Sequence, residues 1–386
     1  MIKMAVVTAT RAEYGLLAPV IKKLREAETD NLKIELIVTG THLYEEYGMT
    51  INEINVRIDH EIKIPVVSNT PNDISNNQAE TLTKFTNLFL KEQYKAILIL
   101  GDRYEMLAVS IAAINTKTPI FHISGGDVTE GAIDDCIRHA ITKMSYLHFT
   151  TNEISRKRVI QLGEDPSRVF NYGSTSIDNA LTMANMSKKE AMESVGITNE
   201  KYVICTYHPV TLENETIKEN MSAFLDVIKN HPEIDFIVTK SNADQGGAEI
   251  NKILDESEKS ITNLHVFASL GVKRYLSLMK YALFVMGNSS SGIVETPSFH
   301  IPTINIGDRQ KGRLICESII DCRPDENSIE QAIKNAMNED FRKECKNVVS
   351  PYGDGQSAEK IARKTLEILN LPIDLKKKFY DIEVNL

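Results

Sequence analysis

The sequence predicts an α/β fold made of two doubly wound parallel sheets. Apolar runs of four or five residues alternate with helical patterns along the 386-residue chain, which is typical of parallel sheets covered by helices on both faces. Polar side chains and glycines follow directly after most of these runs, at the edge where such sheets hold their ligands. A polar stretch at 172–185 interrupts the alternation near the middle of the chain, which indicates two domains.

The first half of the chain contains five expected strands and four expected helices. The strands are apolar runs at 4–8, 34–38, 96–100, 119–123 and 146–150. The helices, in which apolar residues recur at every third or fourth position, are expected at 16–27, 79–92, 106–115 and 133–144.

The second half repeats this design. Strands are expected at 202–206, 236–239, 265–268, 283–286 and 303–306, and helices at 219–229, 272–281 and 357–369. We place the domain boundary in the polar stretch, so that residues 1–173 form one domain and 174–356 the other, while the helix within 357–386 packs back on the first domain. Two such domains facing each other would leave a cleft between the carboxyl ends of their strands.

Composition and charge exclude several classes of protein. The net charge of −9 at pH 7 argues against non-specific binding to nucleic acid. The five cysteines are scattered without zinc-ligand spacing, so reduced thiols are expected. No apolar run is long enough to cross a bilayer, and no secretory signal pattern is visible. We therefore expect a cytoplasmic protein that acts without nucleic acid, membrane, metal or cofactor.

The most informative motif is Met-Gly-Asn-Ser-Ser-Ser-Gly-Ile-Val-Glu at 286–295, which follows an expected strand. Gly287 allows a tight turn, and Asn288 or Ser289 can cap a helix that begins just after it. The N–H groups and the positive dipole end of that helix, with serine hydroxyls beside them, suit a phosphate. A well-capped helix without a ligand is the alternative. Four side chains are candidate nucleotide contacts: Ser289, Ser290, Glu295 and, in the next loop, Arg309.

Asp102 is a candidate for proton transfer because it follows the strand expected at 96–100. A carboxylate at a strand end is partly desolvated, and desolvation raises its pKa. Two other interpretations stay open. Asp102 could cap the next helix, or Arg103 beside it could keep the carboxylate ionised.

More acids follow the next strand of the first domain. A pair of glycines can let the backbone approach a ligand closely, and Asp127 comes directly after them. Asp134 and Asp135 lie in the first turn of the following helix, where Arg138 can pair with either carboxylate on one helix face. A salt-bridged helix without catalytic function is the alternative. The accumulation of acids after two neighbouring strands favours a catalytic cluster.

Further candidates follow other strands. Arg11 and Gly15 lie in an expected turn after the first strand, where an arginine can face an anion, although a surface cation is the commoner role. His208 is held at a strand end by the proline after it, and Asn242 could contact a base or a sugar. Because nucleotide binders lie in one domain and acids in the other, we expect a nucleotide-linked substrate held across the cleft. Neither a GxGxxG fingerprint nor a Walker A motif occurs in the sequence.

Together these motifs resemble the UDP-N-acetylglucosamine 2-epimerase family over nearly the whole chain. The shared motifs are Gly-Asp-Arg at 101–103, Gly-Gly-Asp and Ile-Asp-Asp-x-x-Arg-His-Ala-Ile-Thr-Lys within 125–143, His-Pro at 208–209, the serine motif, and Gly-Asp-Arg-Gln at 307–310. The resemblance implies a glycosyltransferase-B type fold of two Rossmann-like domains, a UDP-sugar substrate, and a homodimer or homotetramer. It also implies that Arg103, Asn242 and Glu295 line the nucleotide or sugar site.

The resemblance is to the hydrolysing branch of that family. The non-hydrolysing branch carries a Thr-Gly-Gln-His motif, whereas this chain has Thr-Gly-Thr-His at 39–42. The hydrolysing branch converts UDP-N-acetylglucosamine and water into N-acetylmannosamine and UDP for sialic acid synthesis, and some relatives act on UDP-N,N'-diacetylbacillosamine. Both sugars and the non-hydrolysing reaction stay open, as do a glycosyltransferase and a nucleotide-sugar sensor.

Catalytic roles follow from the implied reaction. Loss of UDP leaves an oxocarbenium-like sugar, a carboxylate removes the C2 proton, and hydration of the resulting glycal returns a proton to the other face. Relatives often carry a catalytic Glu at the position of Ser124, and we expect Asp127, or as a weaker choice Glu130, to take its place. The candidates for catalysis are Asp102, Asp127, Asp134, Asp135 and His208.

Overall fold

The chain divides into two compact units in a computed structural model, which describes residues 1–65, 70–128, 133–209, 217–241 and 247–383. The first unit consists of Met1–Asp178 with Tyr352–Leu386, and the second of Asn179–Pro351. Each unit contains one parallel sheet with helices packed on it, so the predicted α/β class is confirmed. None of the helices in the described part of the chain is both long and apolar enough to span a lipid bilayer.

The first unit is organised around a seven-stranded sheet in the order β3-β2-β1-β4-β5-β6-β7, with every pairing parallel. Its strands are β1 (Ile2–Thr8), β2 (Leu32–Thr39), β3 (His60–Ile62), β4 (Ala96–Leu100), β5 (Ile120–Ile123), β6 (Leu147–Thr150) and β7 (Val169–Asn171). The chain winds outward in opposite directions from β1 and β4, so the topological switch point lies between these two strands. The edge strands β3 and β7 fall outside the sequence prediction, because strands of only three residues are too short to show a periodic pattern.

Helices connect these strands. They are α1 (Arg11–Glu26), α2 (Pro71–Glu92), α3 (Tyr104–Asn115), α4 (Ile133–Met144), α5 (Glu153–Gln161) and α6 (Thr175–Met183), which continues into the second unit. The sequence prediction of a turn before α1 is wrong. Thr10 and Glu13 form a reciprocal capping box, which starts the helix at Arg11 instead of position 16.

The second unit is organised around a six-stranded parallel sheet in the order β10-β9-β8-β11-β12-β13. Its strands are β8 (Tyr202–Thr206), β9 (Asp235–Thr239), β10 (Leu264–Phe267), β11 (Val285–Gly287), β12 (Thr303–Ile306) and β13 (Ile319–Cys322). Its helices are α7 (Lys188–Glu193), α8 (Ile217–Asn230), α9 (Gly247–Ser257), α10 (Gly271–Tyr281), α11 (Ser290–Val294), α12 (Glu326–Met337) and α13 (Glu339–Cys345). The order of strands places the switch point of this sheet between β8 and β11.

The last helix, α14 (Ser357–Leu369), belongs to the first unit. Its residues Ile361 and Leu369 are buried in the same core as the side chains of β1 and β2. The N–H groups of Ser357 and Ala358 donate to the Asp178 carboxylate at 3.1 and 2.9 Å. This carboxylate satisfies two donors that the first turn of a helix otherwise leaves unpaired.

Two glycines are required where backbones approach each other closely. Gly126 has a φ of +81°, and a Cβ there would lie 2.2 Å from the carbonyl oxygen of Ser155. Gly287 has a φ of +138°, and its Cβ would lie 2.0 Å from the carbonyl oxygen of Thr206. Gly126 is therefore needed for the loop after β5 to pack against α5. The sequence suggested a different reason, the approach of the backbone to a ligand.

We predict that Gly126→Ala destabilises the protein by about 3 kcal/mol, because the added Cβ overlaps backbone that has to move. The matched control is Gly196→Ala, since Gly196 has a φ of +72° but nothing within 4 Å of the Cβ position. Gly196→Ala should lower the free energy of unfolding by only about 1 kcal/mol, the cost of a left-handed backbone for a residue with a Cβ. Urea unfolding of both variants measures the difference, and equal losses would contradict the steric explanation.

Candidate active site

Asp102 lies at the switch point of the first unit, directly after β4. Parallel α/β sheets hold ligands outside the carboxyl ends of their strands at this point. The side chain is 24% exposed, so it is accessible from this edge. The interpretation of Asp102 as a helix cap is wrong, because α3 has Arg103 at its N-cap and no side-chain cap.

One buried guanidinium joins the acids of the first unit. Arg138, 7% exposed, forms an ion pair with Asp102 and donates to Asp135 Oδ1 at 3.0 Å. It also donates to the backbone carbonyl of Asp127 at 2.6 Å. The loops after β4 and β5 and the first turn of α4 are therefore tied to one side chain. The expectation that Arg103 holds Asp102 ionised is wrong, because Arg138 is the partner.

Burial raises the pKa of Asp102, and the nearby carboxylates of Asp134 and Asp127 act in the same direction. The charge and hydrogen bond of Arg138 oppose that rise. Such opposing effects are typical of a carboxylate that has to exchange a proton. Asp102 is therefore the carboxylate in this cluster with the clearest capacity for acid–base chemistry.

Asp127 and Asp134, two further acids of the cluster, differ in their surroundings. The Asp127 carboxylate accepts hydrogen bonds from Thr151 Oγ1 at 2.6 Å and from Ser155 Oγ at 2.5 Å. Asp134 is exposed in the first turn of α4. Two hydroxyl groups therefore hold the Asp127 carboxylate in place, whereas the Asp134 side chain is open to solvent.

Ser124 ends β5 with a left-handed backbone, at a φ of +66°. Its N–H donates to the carbonyl of Phe149 at 2.8 Å, so the chain turns sharply while it stays bonded to β6. A non-glycine residue in this conformation is uncommon and tends to mark functional loops. Glu130 lies outside the described residues, and the expected replacement of a catalytic Glu by Asp127 stays a prediction.

A second charged group at this switch point escaped the sequence reasoning. Glu13 is 6% exposed, and its Oε2 accepts the N–H groups of Ala9 and Thr10 at 2.9 and 3.1 Å. Its Oε1 has no partner among the described residues. Arg103 lies near it and donates to both oxygens of the buried Glu105 at 3.0 Å. The Thr-x-x-Glu capping box was the signal in the sequence that could have identified Glu13.

Arg11 and Gly15 both lie in the first turns of α1. Arg11 is 62% exposed, and its Nε donates to Glu53 Oε2 at 2.8 Å. Gly15 is exposed on the helix surface. An exposed guanidinium beside the switch point is accessible to an anion, but the surface ion pair competes for it.

Asn288 holds His208 at the switch point of the second unit. Its Oδ1 accepts the His208 N–H at 2.7 Å, and its Nδ2 donates to the His208 carbonyl at 2.8 Å. His208 Nδ1 lies 3.1 Å from Ser241 Oγ. His208 is buried, at 8% exposure, so Asn288 fixes its backbone and Ser241 contacts its ring. Asn242 lies outside the described residues.

The serine motif forms a much shorter helix than the sequence suggested. α11 has five residues, with Ser289 as N-cap and Glu295 as C-cap. A single turn carries a weak dipole, so an anion here would depend mainly on N–H and hydroxyl donors. Ser290 is the first residue of α11, while Ser291 hydrogen-bonds the Glu295 carboxylate, whose pKa is raised by burial.

The loop after β12 reaches back to the same turn. Arg309 Nη1 and Gln310 Nε2 both donate to the Asn288 carbonyl, at 3.1 and 2.8 Å. The predicted candidate Arg309 therefore does lie beside the serine motif. Gln310 is a positioning side chain that sequence reasoning missed, because nothing in its neighbourhood along the chain marks its distant partner.

Within the described residues, one group of side chains brings together three atoms that could ligate a metal ion: Glu35, His60 and Glu92. It lies towards the amino-terminal ends of β1 to β3, away from the switch point. Lys3 pairs with Glu92 at 2.6 Å and Lys33 with Glu35 at 2.7 Å. These ammonium groups already neutralise the carboxylates, which weakens the case for a cation.

Comparison with known proteins identifies the family. The model of the UDP-N-acetylglucosamine 2-epimerase family matches residues 23–366. The chain belongs to this family. It is 38% identical to a Campylobacter jejuni protein named GDP/UDP-N,N'-diacetylbacillosamine 2-epimerase (hydrolyzing), over 98% of this chain and 99% of that protein. It is 36% identical to the Escherichia coli polysialic acid biosynthesis protein P7, over 98% and 97% of the two chains.

The fold of this 2-epimerase family member also matches solved structures. The Neisseria meningitidis UDP-GlcNAc 2-epimerase, solved with UDP-GlcNAc bound, superposes with a TM-score of 0.77 at 19% identity. The match covers 95% of this chain and all of that one. The glycosyltransferase-B type fold implied by the resemblance is confirmed. At the level of the family, the chain is a hydrolysing nucleotide-sugar 2-epimerase.

We predict that Glu13 makes stability depend on pH. Burial raises the pKa of Glu13 from 4.5 to about 7. Between pH 4.5 and 7 the folded protein keeps the Glu13 proton, whereas the unfolded chain releases it. The contribution of protonated Glu13 to the free energy of unfolding is therefore full below pH 4.5 and is lost as the pH rises through 7. Relative to Glu13→Gln, the free energy of unfolding of the wild type should fall by about 3 kcal/mol between pH 5 and 8.

Chemical denaturation at several pH values measures this difference. Glu164→Gln is the control, because lysine and histidine partners lower the pKa of this buried carboxylate to about 2 despite its burial. It should therefore show no such trend between pH 5 and 8. Parallel stability curves for the wild type and Glu13→Gln would mean that Glu13 is already ionised in the folded protein.

Proposed function

We propose that this protein is a hydrolysing 2-epimerase of a UDP-linked 2-acetamido sugar, which it converts with water into UDP and the 2-epimeric free sugar. The observation that carries the proposal is the Asp102–Arg138–Asp135 cluster at the first switch point, in a chain of the 2-epimerase family. The cluster offers a carboxylate of raised pKa beside a fixed cation. Epimerisation at an unactivated carbon needs such a base.

The reaction begins with cleavage of the C1–O bond, because the C2 proton is not acidic in the intact sugar. The bonding electrons leave with UDP, and the sugar becomes oxocarbenium-like. Loss of the C2 proton then gives a glycal. Water adds at C1, and a proton returns to C2 from the opposite face, which completes the inversion.

We propose that hydrogen-bond donors of the serine motif and its neighbours stabilise the negative charge that develops on the diphosphate. Ser289 and Ser290 supply hydroxyl and N–H groups at the start of α11, and Arg309 lies beside them through its bond to the Asn288 carbonyl. His208 completes this group at the adjacent strand end. Prearranged donors of this kind stabilise a leaving anion strongly. Arg11 and Asn242 stay predictions for the same role, and Glu295 and Arg103 for the nucleotide or sugar contacts.

We assign removal of the C2 proton to Asp102. Arg138 keeps this carboxylate ionised enough to act as a base, while burial keeps its proton affinity high. Asp134 and Asp135 are the candidates for the acid on the opposite face, and Asp127 is the weaker candidate because two hydroxyl groups already hold it. A homodimer or homotetramer stays a prediction.

UDP-N,N'-diacetylbacillosamine is our first candidate for the substrate, because the relative of that designation is 38% identical over nearly the full length of both chains. UDP-N-acetylglucosamine, the sugar favoured by the sequence motifs, is the second candidate. It is supported by the 36% identity to a polysialic acid biosynthesis protein. The name of the first relative also includes GDP, so the GDP-linked sugar should be tested beside the two UDP-linked sugars.

We predict that incubation with the correct UDP-sugar in deuterated water yields free 2-epimeric sugar with deuterium at C2, together with UDP. Proton NMR of the mixture measures both products. A non-hydrolysing epimerase would leave UDP attached to the sugar, a glycosyltransferase would release little UDP without an acceptor, and a sensor would leave the substrate intact. Any of these three outcomes with all the sugars tested would contradict the proposal.

We predict that Asp102→Asn lowers kcat by about 100- to 10,000-fold, the usual contribution of acid–base catalysis, while UDP affinity stays near that of the wild type. Asp30→Asn, which changes an exposed aspartate of the same unit, is the control and should leave both values unchanged. Steady-state kinetics and calorimetry with UDP measure the two effects. Near-normal turnover of Asp102→Asn would remove Asp102 from catalysis.

A further inference from the structure

We propose that Asn288 is the positioning residue of the nucleotide site: its buried amide fixes His208 and Arg309 around the serine motif, so that UDP affinity depends on it. The proposal rests on the proposed function, because it assumes that UDP binds at this switch point. It assigns a role to a side chain whose hydrogen bonds go to the backbone of His208.

The side chain of Asn288 forms a two-point clamp on the backbone of His208. Asn288 is fully buried, with its Oδ1 2.7 Å from the His208 N and its Nδ2 2.8 Å from the His208 O. One bond needs an acceptor and the other a donor. Only an amide of this length supplies both at once, because aspartate lacks the donor and serine is too short. The clamp therefore fixes the loop after β8 relative to the loop after β11.

The backbone of Asn288 extends this link in both directions. Its N–H donates to the Thr206 carbonyl at 3.1 Å, and its carbonyl accepts from Arg309 and Gln310 at 3.1 and 2.8 Å. On the far side, His208 Nδ1 lies 3.1 Å from Ser241 Oγ. Hydrogen bonds thus connect the carboxyl ends of β9, β8, β11 and β12, four neighbouring strands, with Asn288 at the switch point between them.

A clamp at this place controls the positions of the groups assigned to the diphosphate. Loops at strand ends are mobile unless side chains bond them to one another, and a misplaced donor binds an anion poorly. His208 and Arg309 come from different loops, and Asn288 forms hydrogen bonds with both. Loss of its amide should therefore weaken UDP binding beyond any general loss of stability.

Asn263 is a matched control in the same unit. It is also buried, and its Nδ2 donates to the carbonyls of Ile228, His231 and Ile234 at 2.9, 2.9 and 3.0 Å. Those carbonyls lie at the end of α8 and before β9, at the opposite end of the strands from the serine motif. Asn263→Asp makes the same chemical change as Asn288→Asp without touching the linked loops.

The experiment compares UDP affinity by calorimetry in the wild type, Asn288→Asp and Asn263→Asp, at a temperature where thermal unfolding shows that all three are folded. We expect a Kd about 10- to 100-fold higher for Asn288→Asp, as for a lost buried hydrogen bond. For Asn263→Asp we expect a lower unfolding midpoint and a Kd within about twofold of the wild type. Equal UDP affinity of Asn288→Asp and wild type, or equal losses in both variants, would overturn the positioning role.

A second variant, which introduces no charge, separates the loss of hydrogen bonds from repulsion by the new carboxylate, and it also decides the matter if Asn288→Asp does not fold. Gln310→Met keeps the size of the buried side chain and removes its hydrogen bond to the Asn288 carbonyl, so UDP should bind about three- to tenfold more weakly. Unchanged affinity would overturn the proposal. If the wild type does not bind UDP, the proposed function and this inference are both overturned. If the wild type binds UDP and neither variant changes the Kd, only this inference is overturned.

Discussion

The acidic cluster of the first unit depends on the ion pairs of one buried guanidinium. Arg138 reaches Asp102, Asp135 and the carbonyl of Asp127 from a single side chain. Carboxylates this close repel each other when ionised, and burial adds to the penalty. The charge of Arg138 opposes both effects at Asp102, and its hydrogen bonds keep the loops that carry the acids together. A carboxylate that removes a proton from carbon at neutral pH needs this balance between burial and a fixed cation.

In the second unit, mostly neutral groups hold the loops at the strand ends in fixed positions. Amide and hydroxyl hydrogen bonds of Asn288, Gln310 and Ser241 hold the loops at the ends of four strands, and none of these three side chains carries a charge. Donors that are already in place bind an anion without a further cost of ordering. The two switch points therefore suit two different tasks, tuning of carboxylates in one unit and binding of an anion in the other.

Much of the fold was predictable because strands buried on both faces require continuous apolar residues. The interior strands β4 and β8 carry that pattern. The edge strand β13 does not, since one side lacks a partner and polar residues are tolerated there. The places of the candidate site residues at strand ends were predictable where motifs follow strands, whereas their roles stay predictions. Glu13 could have been recognised from its capping box, but Gln310 could not, because its partner lies 22 positions away.

The sequence alone determined the alternation of strands and helices, the placement of polar motifs after strands, and the membership of the family. Each of these is a local property of the chain. Only the tertiary structure decided the pairings: Arg138 with Asp102 across 36 positions and Asn288 with His208 across 80. The physical reason is that strand order determines which loops meet at a switch point. No local pattern encodes which of several arginines will reach a given carboxylate.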